Sequence, residues 1–218
     1  MNWVDSMSRK EQKIMVIERS ELFKGSYFQG FKLHKDVDFE SRILKHHHYL
    51  ERNQAEVNPN FKQPIAYAVI VNPKTKKVFL YRRSPKDANY QEKRLQGKWS
   101  VGIGGHIERI DAAGNPIEKS LLREIEEEVE IKGRFTTKVL GYLNYDDDAV
   151  GKVHFGILYL IETDSEIKPK GLEMESGSFV SVKDIEEMSK SEDFILEGWS
   201  KLALEVLNET FKNHNYLN

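Results

Sequence analysis

The sequence between residues 104 and 131 reads GGHIERIDAAGNPIEKSLLREIEEEVEI, with a double glycine at its start and a dense acidic run at its end. Six of the thirteen residues from 118 to 130 are glutamates. Successive residues of a helix are rotated by about 100°, so Glu124, Glu127 and Glu128 would share one arc. Hard divalent cations prefer oxygen ligands such as carboxylates and exposed backbone carbonyls. The stretch therefore predicts either a cation site or, as the plainer alternative, a solvated acidic face.

A cap and an apolar stripe predict where this helix begins and which face it buries. Asn115 suits the N-cap, Pro116 suits the first helical position, and Glu118 is placed to complete a capping box. We therefore expect a helix over residues 116–129. The positions expected to face solvent are Glu126 and Glu130, and the predicted buried stripe consists of Leu121, Leu122, Ile125 and Val129.

Short segments with strand-like composition surround the helix and are bounded by glycine, proline and asparagine. The predicted strands of this region are residues 65–72, 77–83, 99–106, 135–145, 153–162 and 179–182. The first two form a hairpin, and the third closes on the double glycine. Strands interspersed with a few helices indicate an α/β layered domain with a mixed sheet.

Both ends of the chain carry further patterns. Residues 14–18 and 27–31 are short β-prone runs, and helical spacing follows over residues 38–51. We expect residues 1–60 to form an N-terminal extension packed on a main domain, residues 61–218. The apolar face predicted for the carboxy-terminal helix of that domain consists of Ile195, Trp199, Leu202 and Val206.

The composition excludes several classes of protein. The 218 residues include 33 basic, 35 acidic and no cysteine residues, which gives a net charge of -2. Such a chain lacks the basic excess that binding to a nucleic-acid backbone usually needs. Its apolar stretches are shorter than the roughly 18 residues of a membrane span, and its first residues lack an apolar signal region. The sequence therefore predicts a cytoplasmic globular protein that binds a small ligand.

The stretch from 104 to 131 resembles the signature of the Nudix hydrolases, usually written G-x5-E-x7-R-E-U-x-E-E-x-G-U with U an aliphatic residue. Residues 123–129, REIEEEV, match its second half without a gap, and Gly104 and Gly105 match its start. The whole chain is similar to the MutT-like group described as predicted phosphoesterases. The resemblance implies a Nudix-type α/β/α sandwich with a mixed β-sheet and an N-terminal extension.

Three features depart from the family pattern. Gly105 and Arg123 have 17 residues between them, more than the signature contains. Asn115 stands where the signature has its middle glutamate, and Glu130 stands where it has its last glycine. An N-cap asparagine can replace a structural glutamate locally, whereas a residue with a Cβ must end the helix differently. The departures concern the shape of the loop rather than the acidic ligands.

The resemblance implies attack of water on a phosphorus of the pyrophosphate linkage in a nucleoside diphosphate derivative. Mg²⁺, with Mn²⁺ as a substitute, would neutralise charge on the leaving phosphate. The implied metal ligands are Glu124, Glu127, Glu128 and a backbone carbonyl of Gly104 or Gly105. The implied catalytic residues are Glu124, Glu127, Glu128, Arg123 as an orienting residue, and Glu173 as an acid beyond the motif. The implied contacts to substrate phosphates are Arg82, Arg83 and Lys98.

Several weaker candidates stand beside this set. Glu175 and the run Asp146 to Asp148 are alternatives for the further acid. Tyr142 and Tyr145 are candidates for stacking on a base, although aromatic residues in strands usually pack in the core. His106 and His154 either approach the site or are structural histidines.

Two other functions compete with hydrolysis. A nucleotide-sensing or protein-binding module could keep the fold without turnover, but the chain retains all four motif residues from Arg123 to Glu128. Isomerases of isoprenyl diphosphates share the fold, but their chemistry relies on a cysteine in the family and this chain has none. The expected partner is therefore a nucleotide-like small molecule, with no membrane or nucleic-acid partner and with a homodimer left open.

Overall fold

The computed structural model describes residues 12–84, 95–170 and 173–212. The chain forms two compact units, each assembled from segments that are distant in sequence. Unit 1 contains the described residues of 1–66, 104–122 and 140–157, and unit 2 contains those of 67–103, 123–139 and 158–218. Residues 1–11 of the predicted extension lie outside the described part, and the boundary predicted at residue 60 stays a prediction.

Strands and helices alternate along the described chain. The strands are β1 (Lys13–Glu18), β2 (Gly30–Leu33), β3 (His48–Glu51), β4 (Phe61–Asn72), β5 (Lys77–Arg83), β6 (Trp99–Ser100), β7 (Gly102–Ile103), β8 (Val129–Ile131), β9 (Thr136–Asn144), β10 (His154–Glu162), β11 (Ile167–Pro169) and β12 (Met174–Ser181). The helices are α1 (Arg19–Phe23), α2 (Phe39–His46), α3 (Arg52–Ala55), α4 (Pro116–Glu128), α5 (Val182–Met188) and α6 (Gly198–Lys212). Ten of the strands belong to one large sheet, and β8 pairs with β11 in a separate two-stranded sheet.

In unit 2, strand β5 pairs antiparallel with both β12 and β4. Its register with β12 runs from Met174 opposite Arg83 to Ser181 opposite Lys77. The segment from Val78 to Tyr81 is buried, as expected for a strand with both faces covered. This pairing confirms the predicted hairpin of β4 and β5 and fixes the end of β5, where Arg82 and Arg83 lie.

In unit 1, a cluster of aromatic rings forms the core around Phe39. Its ring centroid lies 4.9 Å from that of Tyr142 and 5.2 Å from that of Phe155, both in edge-to-face geometry. The Tyr142 hydroxyl accepts a hydrogen bond from the backbone N–H of Phe39 at 3.2 Å and lies 2.7 Å from Nδ1 of His34. The prediction that Tyr142 stacks on a base was wrong, because its ring is fully buried in this core.

Unit 1 also contains a fully buried lysine. Nζ of Lys62 donates to Oδ1 of Asp146 at 2.7 Å, to the Gly151 carbonyl at 2.6 Å and to the His154 carbonyl at 3.0 Å. An ammonium group has three N–H donors, so these three acceptors satisfy it completely. These three hydrogen bonds compensate the cost of removing the Lys62 charge from water.

The pKa values of Lys62 and Asp146 are both lowered, but for different reasons. Burial lowers the pKa of the Lys62 ammonium to about 8, although Asp146 opposes the shift. Burial alone would raise the pKa of the Asp146 carboxyl, but hydrogen bonds from Arg19, Lys62 and Tyr27 outweigh it and hold that pKa well below its usual range. Asp146 therefore has a structural role in this unit, as the counter-charge of a buried lysine.

Helix α4 begins as predicted, and its buried stripe is narrower than predicted. Oδ1 of Asn115 accepts a hydrogen bond from the backbone N–H of Ile117 at 3.1 Å. The buried positions of the predicted stripe are Leu121, Ile125 and Val129. Leu122 is 50% exposed, because its position at the edge of the stripe turns it away from the core.

The C-terminus of α4 is capped without the glycine that the family pattern has at this position. Val129 continues directly into β8, where it pairs with Pro169 of β11. The backbone N–H of Lys170 donates to the Glu128 carbonyl at 2.8 Å, and its Nζ donates to the Glu126 carbonyl at 2.6 Å. Strand pairing and a lysine thus satisfy carbonyls that a glycine C-cap would otherwise serve.

Five predicted elements were wrong in extent. The strand predicted at 179–182 runs from Met174 to Ser181, because it pairs along the length of β5. The predicted strand 99–106 is two short strands, because the chain bends at Val101, where the Ser100 hydroxyl accepts a hydrogen bond from the backbone N–H of Gly102. The helix predicted over residues 38–51 ends at His46, and His48 begins β3, which pairs with β1. The strand predicted at 27–31 is shifted to Gly30–Leu33. Ile195, predicted on the apolar face of the last helix, precedes α6 and is 55% exposed.

Within the three described segments, none of the helices combines the length and the apolar character that crossing a membrane requires.

Gly102 in β7 generates a prediction about stability. A Cβ at this position would lie 1.9 Å from Cζ of Tyr67, whose hydroxyl is 2.9 Å from Oγ of Ser200 in the buried interior. Overpacking of a filled core costs about 1–3 kcal/mol. We expect Gly102→Ala to lower the free energy of unfolding by at least that amount in urea titrations. Ser178→Ala, at an exposed strand position, is the matched control, and equal midpoints for both variants would contradict the close packing.

The Lys62–Asp146 pair generates a prediction about pH. Since the pKa of Asp146 is lower in the folded chain than its unfolded value near 3.9, its contribution to stability is present above that value and is lost as the pH falls below it. Asp146→Asn leaves a buried cation without its counter-charge, at a cost of about 3–5 kcal/mol near pH 7. We expect the difference in unfolding free energy from wild type to shrink below about pH 4.

Asp147→Asn, at the exposed neighbouring position, is the control for this measurement. A difference between wild type and Asp146→Asn that stayed constant from pH 7 to pH 3 would show that the carboxylate charge does not stabilise the fold.

Candidate active site

Arg123, Glu124 and Glu127 form an ionic group on α4. Nη1 of Arg123 donates to Oε1 of Glu124 at 2.7 Å and to Oε2 of Glu127 at 3.5 Å. The side chain of Glu124 is 13% exposed, and that of Glu127 is 60% exposed. Arg123 therefore holds one carboxylate in a fixed, half-buried position and leaves the other open to solvent.

Glu128 differs from both, because its carboxyl group is buried. Oε2 of Glu128 has no hydrogen-bond partner among the described residues. Burial raises the pKa of the Glu128 carboxyl to about 8, against the effect of the Arg83 guanidinium, and the charges of Glu124, Glu173 and Glu197 raise it further. A buried carboxylate oxygen without a partner is costly, so this atom is suited to a cation that the protein itself does not supply.

A buried network of polar side chains lies behind Glu128 in unit 2. Arg83 is 9% exposed, and its Nε donates to Oε1 of Glu197. The Ser100 hydroxyl donates to Oε2 of Glu197 at 2.9 Å and lies 3.1 Å from the Ser200 hydroxyl. The Ser200 hydroxyl also accepts the backbone N–H of Val101 at 3.1 Å. These contacts hold the Arg83 guanidinium, whose charge lowers the pKa of Glu128.

Glu197 was missed by the sequence analysis. It follows Phe194, Ile195 and Leu196, and a single carboxylate at the end of an apolar run could have marked it as buried. The backbone N–H of Glu197 donates to the Trp99 carbonyl at 3.0 Å, which places its side chain beside β6. Only this tertiary pairing brings Glu197 to Arg83.

The remaining charged candidates of unit 2 lie around the end of β5. Arg82 is partly exposed and pairs through Nη1 with Oε2 of Glu175 at 3.2 Å. Glu173 is half-buried, and its carbonyl accepts the backbone N–H of Ser84 at 2.8 Å. Lys98 is half-buried, and its carbonyl accepts the backbone N–H of Arg83 at 2.9 Å. Unit 2 thus brings Arg82, Arg83, Lys98 and Glu173 of the predicted set to one strand end.

Gly104 and Gly105 follow β7 as half-buried residues. They belong to unit 1, whereas Arg123 and the motif glutamates belong to unit 2. Metal ligation by a backbone carbonyl of these glycines stays a prediction.

The two histidine candidates come together in unit 1. Nε2 of His106 lies 3.1 Å from Nε2 of His154, although the two residues are 48 positions apart in sequence. The sequence analysis treated the two residues separately, because nothing local in the chain indicates that they meet.

The chemistry available in unit 2 is that of a hard-cation site. Three carboxylates within one and a half turns of helix offer oxygen ligands, one of them exposed, one fixed by arginine and one buried without a partner. Arginine side chains at the neighbouring strand end can meet phosphate oxygens.

Comparisons with known proteins identify the family of this chain. A model of the NUDIX domain matches residues 61–197, which is more than half of the chain. The chain is also 33% identical over 214 residues to the protein YmaB of Bacillus subtilis (strain 168), a match that covers 92% of this chain and 100% of the relative.

Solved structures show the same fold. The crystal structure of Tm1382, a candidate Nudix hydrolase, has 27% sequence identity and a TM-score of 0.74, and the match covers 92% of this chain and 100% of that one. The NUDIX domain of Shewanella oneidensis NrtR, solved with ADP ribose, has 17% identity and a TM-score of 0.52, with 69% of this chain and 88% of that one covered. The predicted α/β fold with a large mixed sheet is thereby confirmed. This chain belongs to the Nudix family and is a Nudix-type pyrophosphohydrolase.

Proposed function

We propose that the protein hydrolyses the pyrophosphate linkage of a nucleoside diphosphate derivative with the help of Mg²⁺. The observation that carries the proposal is the set of three carboxylates on α4, in which Oε2 of Glu128 is buried without a partner among the described residues. A pyrophosphate carries dense negative charge, so a site made only of carboxylates can approach it only with a bridging cation.

The residues present fit a bound magnesium ion. Glu124, Glu127 and Glu128 provide the oxygen ligands that Mg²⁺ prefers, and a backbone carbonyl of Gly104 or Gly105 is the further ligand that we propose. Bound there, Mg²⁺ would polarise the phosphoryl oxygens and lower the pKa of a water molecule, and Mn²⁺ is expected to substitute for it.

The side chains around the carboxylates have separate roles in this proposal. Arg123 orients Glu124 through the 2.7 Å hydrogen bond from Nη1 to Oε1. Glu173 is the residue that we propose as the additional acid or base, since its charge already acts on the Glu128 carboxyl group. Arg82 and Lys98 are proposed contacts to the substrate phosphates.

The sequence suggested that Arg83 contacts a substrate phosphate, but its side chain is buried instead. Its guanidinium is buried and pairs with Glu197, and it lowers the pKa of Glu128. A direct contact of Arg83 with substrate stays a prediction. Its observed contacts favour a positioning role, in which its charge lowers the pKa of Glu128 and so opposes the effect of burial.

The substrate class rests on the family and on the ligand of one relative. The NrtR NUDIX domain binds ADP ribose, a nucleoside diphosphate derivative, on the same fold. The same proposal includes a nucleotide-like substrate, a cytoplasmic location and action without a membrane or nucleic-acid partner. It leaves open whether the protein forms a homodimer. The alternative is a module that binds a nucleotide without turning it over.

A substrate panel with one matched pair of variants tests the proposal. Nucleoside diphosphate derivatives that include ADP ribose are incubated with Mg²⁺ and a coupled phosphatase, and released phosphate is measured. We expect at least one compound to be hydrolysed. Glu127→Gln removes an exposed carboxylate without disturbing the core, and we expect kcat to fall at least about 100-fold.

Glu126→Gln, an exposed neighbour on the same helix, is the control and should retain the wild-type rate. Equal rates for Glu127→Gln and wild type would refute the assignment of the site. Binding of a nucleotide by wild type without any release of phosphate across the panel would favour the alternative module.

A further inference from the structure

Three side chains of unit 1, outside the carboxylate group of α4, present metal-binding atoms to one another. Oε1 of Glu56 and one ring nitrogen each of His106 and His154 all lie within 4.8 Å of one another. Nε2 of His106 is 3.1 Å from Nε2 of His154 and 3.6 Å from Oε1 of Glu56. We call these three residues the histidine cluster.

Two of the distances in the histidine cluster are close to those between the ligands of a tetrahedral zinc ion. Zn²⁺ binds imidazole nitrogen and carboxylate oxygen at about 2.0–2.2 Å, so the ligand atoms of a tetrahedral site are about 3.3 Å apart. The separations of 3.1 Å and 3.6 Å lie on either side of that value. Two histidines and one glutamate are also a known ligand set of zinc sites that keep a fourth position open.

The hydrogen bonds of His154 direct its other nitrogen into the cluster. Nδ1 of His154 lies 2.7 Å from the Val150 carbonyl, which can only accept a hydrogen bond. Nδ1 therefore carries a hydrogen, and Nε2 is left with the lone pair that a metal requires. A backbone carbonyl holding the far nitrogen is the usual way in which proteins orient a histidine ligand.

The environment of His106 contains more acceptors than one hydrogen can serve. Oε1 of Gln63 lies 2.8 Å from Nε2 of His106, in addition to Nε2 of His154 and Oε1 of Glu56. A single N–H group cannot bond fully with three acceptors, whereas a dication in the same place attracts all of them. The second amide atom of Gln63, Nε2, is buried without a hydrogen-bond partner among the described residues. Gln63 itself is fully buried, so this polar group has been brought into the interior beside the cluster.

The cluster also joins separate parts of unit 1. Glu56 follows α3, His106 follows the double glycine and His154 begins β10. Nε of Arg52 donates to Oε1 of Glu56 at 3.3 Å and holds the carboxylate in place. An ion bound here would link three segments that are distant in sequence, and so it would stabilise the folded chain.

We propose that Glu56, His106 and His154 form a zinc site, separate in residues and in ligand chemistry from the carboxylates of α4. Imidazole ligands select Zn²⁺ and related transition metals, whereas Mg²⁺ prefers oxygen ligands. The site binds its ion through these three side chains, with a fourth position for water or for Oε1 of Gln63.

The test uses the full chain, stripped of metal with a chelator and then titrated with Zn²⁺ or Co²⁺ alone. We expect one tightly held Zn²⁺ per chain, and a visible absorption spectrum of tetrahedral Co²⁺ with nitrogen ligands. Glu56→Gln and His106→Ala should each weaken Zn²⁺ binding by more than about 10-fold. Zn²⁺ should raise the melting temperature of the wild type more than that of either variant.

Two controls separate this site from other zinc-binding groups. His46→Ala removes an exposed histidine at the end of α2, and Glu127→Gln removes a motif carboxylate; both should retain the wild-type affinity for Zn²⁺. Loss of zinc binding in Glu127→Gln with retention in His106→Ala would assign the metal to α4 and overturn the proposal. A weak octahedral Co²⁺ spectrum in the wild type would overturn the proposal even if the histidine variants failed to fold. A wild-type affinity for Zn²⁺ no greater than that of the variants would also overturn it.

Discussion

The structure depends on the cost of placing a charged group where water cannot reach it. At the end of α4, one carboxylate oxygen of Glu128 is buried and has no hydrogen-bond partner among the described residues, and burial raises its pKa to about 8. A polar atom left in this state is destabilising unless something outside the chain completes it. In a Nudix hydrolase, a dication bound between this oxygen and two further carboxylates would stabilise the buried negative charge, and the three carboxylates would bind the dication.

The side chains around Glu128 reduce the cost of burying its carboxyl group. The charge of Arg83 lowers the pKa of Glu128, and Arg83 is itself paired with Glu197. The Ser100 hydroxyl donates to Glu197 and in turn lies beside the Ser200 hydroxyl. Hydrogen bonds of this kind between buried polar groups make the surroundings of the carboxyl group more rigid.

Unit 1 handles buried polar groups in two contrasting ways. The ammonium of Lys62 is completed by three acceptors of the chain itself, so it needs no ligand. In the histidine cluster, Nε2 of His106 faces three acceptors, namely Oε1 of Gln63, Nε2 of His154 and Oε1 of Glu56. The lysine is therefore satisfied by the chain itself, whereas the cluster is the place where we propose that an ion binds.

The sequence alone determined the motif helix, its N-cap at Asn115, the β4–β5 hairpin and the family. Each of these depends on residues close together in the chain, through helical periodicity, capping and turn chemistry. It also placed Glu124, Glu127 and Glu128 on one helix arc, but it could not distinguish the buried carboxylate from the exposed one.

Only the tertiary structure decided which polar groups are paired. Glu197 reaches Arg83 across 114 positions, and His106 reaches His154 across 48, through tertiary contacts that no local pattern records. It also turned Tyr142 and Asp146, which the sequence offered as ligand contacts, into parts of the core of unit 1. The physical reason is that periodicity reports which face of an element is apolar, whereas charge and hydrogen-bond balance depend on neighbours that are distant in sequence.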